Sequence, residues 1–346
     1  MEELLRNYFL KLGYFVTRGV KYSYEENEIT DIDLYLYNRS SSITRERINV
    51  DIKNKKSPQA FERILWANGL KILLGFDKCI VATTDSRPVI NKYGNLHHTT
   101  VLDGKFLAKI RVNSLPHRLT EEEILIGLSK IKSYKTFENK NWKFIYEDSK
   151  TKLLTENDFS GFNSLLTNLF YFIEKAISDI QKRPFAVRMI YLTLSHLLIV
   201  LDYILKDIAF LETTEKEKKL SDGFKFGNLG KGGVDKIISM AVAISGKKSA
   251  GSILKSMEGV PAEILKDFFA QNENAKKLFH WAISFEDLGY RKDLVFPENI
   301  DSSLKGVLAL FLDFFKIERK KFFSVFPKHV QKILPLEVKR DDGDQK

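Results

Sequence analysis

Asp33, Asp51 and Lys53 are the side chains whose types and spacing could do chemistry together in this chain. Asp33 lies in residues 29–37, and Asp51 and Lys53 lie in residues 48–53. Both stretches alternate apolar and polar residues with the period of a half-buried strand. In the first, Ile32, Leu34 and Leu36 share one face, and Asp31, Asp33, Tyr35 and Tyr37 share the other. In the second, Ile48, Val50 and Ile52 face one way, while Arg47, Asn49, Asp51 and Lys53 face the other. Paired through the polar connection at residues 38–42, the strands would bring Asp33 close to Asp51 and Lys53. Magnesium prefers oxygen ligands and takes one or two carboxylates together with water and substrate phosphate oxygens. A lysine on the same strand face can orient the attacking water, act on its proton or stabilise charge developing on the phosphorus oxygens. The tripeptide Asp-x-Lys alone is weak evidence, because 55 Lys and Arg with 45 Asp and Glu produce it often by chance. For the tripeptide alone, an exposed strand edge with a fortuitous ion pair is the better explanation.

The order of elements around these residues shifts that balance. Residues 2–12 read as an amphipathic helix with Leu5, Tyr8, Phe9 and Leu12 on one face. Gly13 is a natural stop for it. Glu2, three residues before Leu5, lies on the inward face and could point at the sheet. A strand at 14–17, the two alternating strands, a helix at 59–74 beginning near Pro58 and ending at Gly75, and an apolar strand at 79–84 follow. The expected order is helix, three strands, helix, strand.

This order and its residues resemble the PD-(D/E)XK nuclease superfamily, the restriction-endonuclease-like fold, with a flavour closest to Mrr-like and Holliday-junction-resolvase-like members. The resemblance rests on residues 2–14, on Ile32-Asp33-Leu34, on Val50-Asp51-Ile52-Lys53, on residues 75–84, and on residues 99–107 as a closing strand, tight turn and helix start. It covers about residues 1–115 and departs from the family name in having no proline before Asp33. It implies an α/β domain with a mixed sheet flanked by helices. It also implies that Asp33 and Asp51 bind Mg2+, with Mn2+ able to substitute, that Lys53 assists the water, and that Glu2 adds a ligand. Asp31 and Glu3 are the alternatives to Asp33 and Glu2; strand alignment and helix phase favour the latter pair.

Charge and composition point to the partner. The net charge is +10, and residues 1–115 hold 18 Lys and Arg against 13 Asp and Glu, so the excess is not confined to a tail. Arg45, Arg47, Lys55, Lys56 and Arg63 surround the proposed site, and Arg45 and Arg47 share strand parity with Asp51, where they could line the approach of a phosphate backbone. A polyanionic partner follows, DNA in preference to RNA. The single cysteine, Cys79, excludes a disulfide framework and fits a reducing cytoplasm; in an apolar strand it reads as an inert core thiol. The N-terminus, with Glu2 and Glu3, lacks the pattern of a signal peptide.

Past Pro116 the pattern changes. Thr120 reads as a helix N-cap with acidic first-turn residues leading into residues 124–131. Residues 133–156 are polar and lysine-rich and read as a connector. Helices are then expected at 162–181, 186–211, 234–244, 262–269, 275–285, 304–318 and near 322–333. The domains so drawn are residues 1–115, a helix and connector at 116–156, and an all-helical domain at 157–346, which could carry homo-oligomer contacts. The apolar run at 189–211 is interrupted by His196, Asp202, Lys206 and Asp207, so it reads as a buried helix and not a membrane span. The glycines at 227–233 lack P-loop spacing and read as a flexible loop. His196 reads as a satisfied core histidine, and His97-His98 as a solvent-exposed pair. A metal-dependent endonuclease, of the kind used in bacterial restriction or antiphage defence, is the resulting expectation. The competing ones are a nucleic-acid-binding scaffold without turnover, and an RNase or sensor acting through the helices.

Overall fold

The computed structural model describes residues 1–25, 27–53, 59–110, 117–131, 141–245 and 259–327. The N-terminal part runs α1 (Glu2–Lys11), β1 (Phe15–Tyr24), β2 (Asn27–Arg39), β3 (Arg45–Lys53), α2 (Ala60–Leu73), β4 (Lys78–Thr83), α3 (Pro88–Leu96), β5 (Thr99–Leu102) and α4 (Gly104–Ile110). The strands form one mixed sheet in the order β1-β2-β3-β4-β5. The pairs β1–β2 and β2–β3 are antiparallel, whereas β3–β4 and β4–β5 are parallel. Short connections reverse the chain between the first three strands, and the crossovers carrying α2 and α3 return it for the parallel pairs. The expected order is therefore present, with α3 as an addition; its proline in the first turn is pre-set for a helix. Gly13 (φ 87°) and Gly75 (φ 63°) take the left-handed conformation where α1 and α2 stop, as their sequence positions suggested. Leu12 falls outside α1 and is exposed, not on its inward face.

Alternation sorts the two faces of the sheet. Leu34, Leu36, Ile48, Val50, Ile52 and Ile80 pack against Leu5 and Phe9 of α1 and Leu107 and Ile110 of α4. On the other face Cys79 and Val81 are covered by Ala60, Ile64 and Ala67 of α2 and Ile90 of α3. Tyr35 and Tyr37, also on that face, enter the core of the helical region.

That region comprises α5 (Glu121–Ser129), α6 (Trp142–Thr155), α7 (Phe159–Ser178), α8 (Arg183–Asp207), α9 (Thr213–Phe226), α10 (Gly230–Ser245), α11 (Ala262–Phe269), α12 (Asn272–Tyr290), α13 (Ser302–Phe314) and α14 (Arg319–Ser324). A capping box starts α5: Thr120 Oγ1 accepts from the Glu123 amide at 3.2 Å, and Glu123 Oε2 accepts from the Thr120 amide at 2.7 Å. Among the described residues α8 is the one helix long and apolar enough to cross a membrane, and 83% of its apolar window is buried inside the fold. It is the core helix of the region, as expected.

Two expectations are corrected. The glycine stretch at 227–233 is a 3-10 turn at Gly227–Leu229 followed by the start of α10, not a loop. The connector at 133–156 contains α6; its residues before 141 lie outside the described residues. Trp142, Ile145, Tyr146, Leu153 and Leu154 of α6 are buried together and pack into the shared core. Their spacing is helical, and the lysines between them concealed it. Phe15, Val20, Ile32, Tyr35 and Tyr37 of the sheet belong to the same core as the helices, so one core crosses the boundary drawn at 116–156.

Candidate functional site

The β2–β3 ladder ends at the pair Leu34 and Val50, one step short of Asp33 and Asp51. Beyond it the Asp33 side chain replaces the ladder: Asp33 Oδ2 accepts the Ile52 amide at 2.5 Å. This contact fixes Asp33 beside the strand that carries Asp51 and Lys53. Lys53 shares the strand face of Asp51 and forms no ion pair among the described residues.

Asp51 is buried, and Arg63 from the first turns of α2 grips it through both carboxylate oxygens, with Nε to Oδ2 at 2.8 Å and Nη2 on Oδ1. Arg63 was expected to meet a nucleic acid; in this structure it faces the carboxylate. Burial raises the pKa of Asp33 to about 6; the Ile52 amide and the Arg63 charge oppose that rise, and the charges of Glu2 and Asp31 add to it. Asp33 is thus a partly buried carboxylate whose negative charge is undercompensated.

Glu2 lies close enough to raise the Asp33 pKa, yet its Oε2 is taken by Arg18 Nε at 2.5 Å. Arg18 also holds Glu3 Oε1 at 3.0 Å and pairs with Glu122. The glutamates of α1 therefore anchor the helix on β1. Asp31, the alternative to Asp33, is exposed.

Arg45 and Arg47 do not line an approach to Asp51. Both are buried. Arg45 donates to Asp202 Oδ1 at 3.0 Å and to the Ser41 carbonyl at 2.7 Å. Arg47 donates to the carbonyls of Leu74 and Leu154, each at 3.2 Å, and stacks near Phe76 and Tyr203. They share parity with Asp51, but the helical region covers their end of the face. Lys55 and Lys56 lie outside the described residues.

The donor set can be tested against magnesium. Among the described residues no group of three or more His, Cys, Asp or Glu side chains is gathered for a metal. Magnesium needs only one or two carboxylates, since it keeps several of its waters. Asp33 and Asp51 supply two hard oxygen donors with negative charge to spare, so they fit such an ion, provided Arg63 turns away from Asp51.

His196 is buried as expected, and burial, reinforced by the Lys150 charge, holds its pKa down to about 3. Among the described residues its Nδ1 has no hydrogen-bond partner, so it is a core histidine not satisfied by them. His97 packs 4.5 Å from the Tyr93 ring and is half-buried; only His98 is exposed.

What the sequence missed is a buried charge network that ties the sheet to the helices. Glu121 accepts from Lys150 Nζ at 2.7 Å and from Tyr146 at 3.0 Å. Lys150 also caps the Arg18 and Gly19 carbonyls at 3.0 and 2.9 Å. Arg6 of α1 and Arg118 meet on Glu286 at 2.7 and 2.6 Å. No local pattern announces these pairs, because their partners are far apart along the chain.

No protein-family model, curated protein or solved structure matches this chain.

Proposed function

We propose that this chain is a divalent-metal-dependent nuclease of the PD-(D/E)XK type that hydrolyses phosphodiester bonds, in DNA in preference to RNA. The supporting observation is the Asp33–Ile52 contact, which holds one carboxylate against the strand that carries Asp51 and Lys53. It occurs within the order α-β-β-β-α-β that the resemblance calls for. The net charge of +10 fits a polyanionic substrate.

The residues divide the work by position. Asp33 and Asp51 hold the metal ion from neighbouring strands. When bound, the ion supplies Lewis-acid stabilisation of charge on the phosphodiester oxygens. Lys53 Nζ, two residues along the same strand face, orients the attacking water and handles its proton. Arg63, once displaced from Asp51, is free to meet a backbone phosphate.

The test is cleavage of supercoiled plasmid and of RNA in Mg2+, Mn2+ and EDTA. Wild type should cut DNA only with metal. Folded Asp51→Ala should be inactive, and Lys53→Ala should lose roughly 10^2–10^4 in turnover while retaining DNA affinity. Full activity in EDTA, or undiminished cleavage by folded Asp51→Ala, overturns the mechanism. The grip of Arg63 on Asp51 favours one second reading, a scaffold whose site is neutralised without metal. Tight DNA binding with no cleavage under any metal condition would select that scaffold.

A further inference from the structure

At the opposite end of β2 and β3 the chain encloses a second polar site. The hairpin between these strands, the end of α8, the first turn of α9 and the first turn of α12 surround a pocket of about 200 Å3. Six positions along β2 separate Asp33 from Arg39, a span of about 20 Å, so this pocket is distinct from the carboxylate site.

Its charged lining is Arg39, Arg45, Lys216 and Lys276, with no carboxylate among the lining residues; Lys276 Nζ pairs with Glu273 outside the lining at 3.0 Å. Beneath it, the fully buried Asp202 is one carboxylate shared by two guanidiniums, Arg39 Nη1 at 2.8 Å and Arg45 Nη2 at 3.0 Å. Lys216 has none. Only 8% exposed, it donates to the Ala270 carbonyl at 3.0 Å and Asn272 Oδ1 at 3.1 Å, which uses two of its three donors. Burial lowers its pKa, and no acidic neighbour opposes the shift. The first turn of α12 adds the positive end of a helix whose N-cap, Gln271, supplies no side-chain cap.

A buried ammonium without a counter-charge is costly unless something anionic meets it. The residues on hand are those that recognise phosphate: forked guanidiniums and ammonium point charges. The volume sets the size of the guest. Pockets that engulf whole small molecules run about 300–1,000 Å3, whereas this one has room for roughly six waters at about 30 Å3 each. A phosphate group fits, with the rest of its molecule outside.

We propose that this pocket binds a phosphate group, carried either by a small phosphorylated molecule or by the end of a nucleic acid. The proposal does not depend on the nuclease reading.

The test uses the full chain at constant ionic strength, with calorimetric titration and thermal unfolding. The probes are inorganic phosphate, adenosine 5′-monophosphate, and one oligonucleotide in 5′-phosphorylated and 5′-hydroxyl forms. Phosphate should bind saturably and raise the unfolding temperature, because a ligand of the native state alone stabilises it. Lys216→Gln should weaken phosphate at least tenfold, and Lys276→Gln, on the exposed rim, several-fold. The second variant carries the test should the first not fold. Tighter binding of the phosphorylated oligonucleotide than of its hydroxyl form assigns the pocket to nucleic-acid ends. Equal binding of the two forms with phosphate affinity retained assigns it to small molecules. No saturable phosphate binding by wild type, or wild-type affinity in the folded variants, overturns the proposal.

Discussion

One end of the β2–β3 pair holds Asp33 and Asp51, and the other holds Arg39 and Arg45 around Asp202. The same residue types are used in opposite ways. Asp202 is fully buried and saturated, accepting from Tyr37, Arg39 and Arg45 at 2.7, 2.8 and 3.0 Å. Asp33 is half-buried, takes one backbone amide and keeps a pKa near 6. Asp51 has a partner, Arg63, whose side chain is 23% exposed and can leave. A saturated carboxylate holds a fold together, whereas an undercompensated one is available to a ligand. Strand parity does not tell the two ends of β2 and β3 apart; coverage by the helices does.

The largest expected contrast is in stability. Asp202→Ala leaves the buried Arg45 guanidinium and the partly buried Arg39 guanidinium with no counter-charge and should cost about 3–5 kcal/mol. Asp51→Ala releases Arg63 to solvent and should change stability by no more than about 1 kcal/mol. Denaturant unfolding of both variants reads this directly. Similar losses for the two would mean that Asp51 is as structural as Asp202.

That contrast also shows what was legible in the sequence. The alternation of β2 and β3 placed Asp33, Asp51 and Lys53 on one face, and α1, α2 and the order of elements followed from period and glycine stops. Arg45 and Arg47 obey the same alternation as Asp51. What makes them structural is Asp202, 157 residues beyond Arg45, and the Leu154 carbonyl, 107 residues beyond Arg47. The lysine-rich stretch that became α6 misled for a related reason. Lys150 counts as polar in composition, but its ammonium is buried against Glu121 and two carbonyls. Composition reports how many charges a segment has, and the fold decides which of them face water.

A smaller effect probes Asp33 through pH. Its folded pKa of about 6 lies above the usual aspartate value near 3.9. The folded state therefore binds this proton more tightly than the unfolded chain does. The stability it contributes is fully present below about pH 4 and is lost as pH rises through 6. At pH 8 the ionised form costs at most about 3 kcal/mol, and partial exposure reduces this to about 1–2 kcal/mol. Asp33→Asn keeps an acceptor for the Ile52 amide, so it should be more stable than wild type at pH 8 and equal to it below pH 4. Magnesium should stabilise wild type at pH 8, fade as a stabiliser below pH 6, and leave Asp33→Asn unaffected. A variant no more stable at pH 8 would place Asp33 with the saturated carboxylates.

The smallest effect concerns Arg63, the residue on which the comparison turns. Its guanidinium engages both oxygens of Asp51, so a divalent cation has to displace it before Asp51 can act as a ligand. The pair is partly exposed and worth about 0.2–1 kcal/mol, so removing the competitor should tighten magnesium by roughly 1.4- to fivefold. Arg63→Gln should show this in a magnesium titration followed by calorimetry or thermal unfolding. The same change removes the cation that displacement would hand to the substrate, so DNA affinity should fall and its log–log salt dependence should lose about one unit of slope. The two readouts have to move in opposite directions. If magnesium binding is unchanged while DNA binding weakens, Arg63 contacts phosphate without ever blocking the metal. If magnesium binding weakens, the guanidinium orients Asp51 for the ion instead of competing with it, and Arg63 belongs with the structural arginines at the other end of the strands.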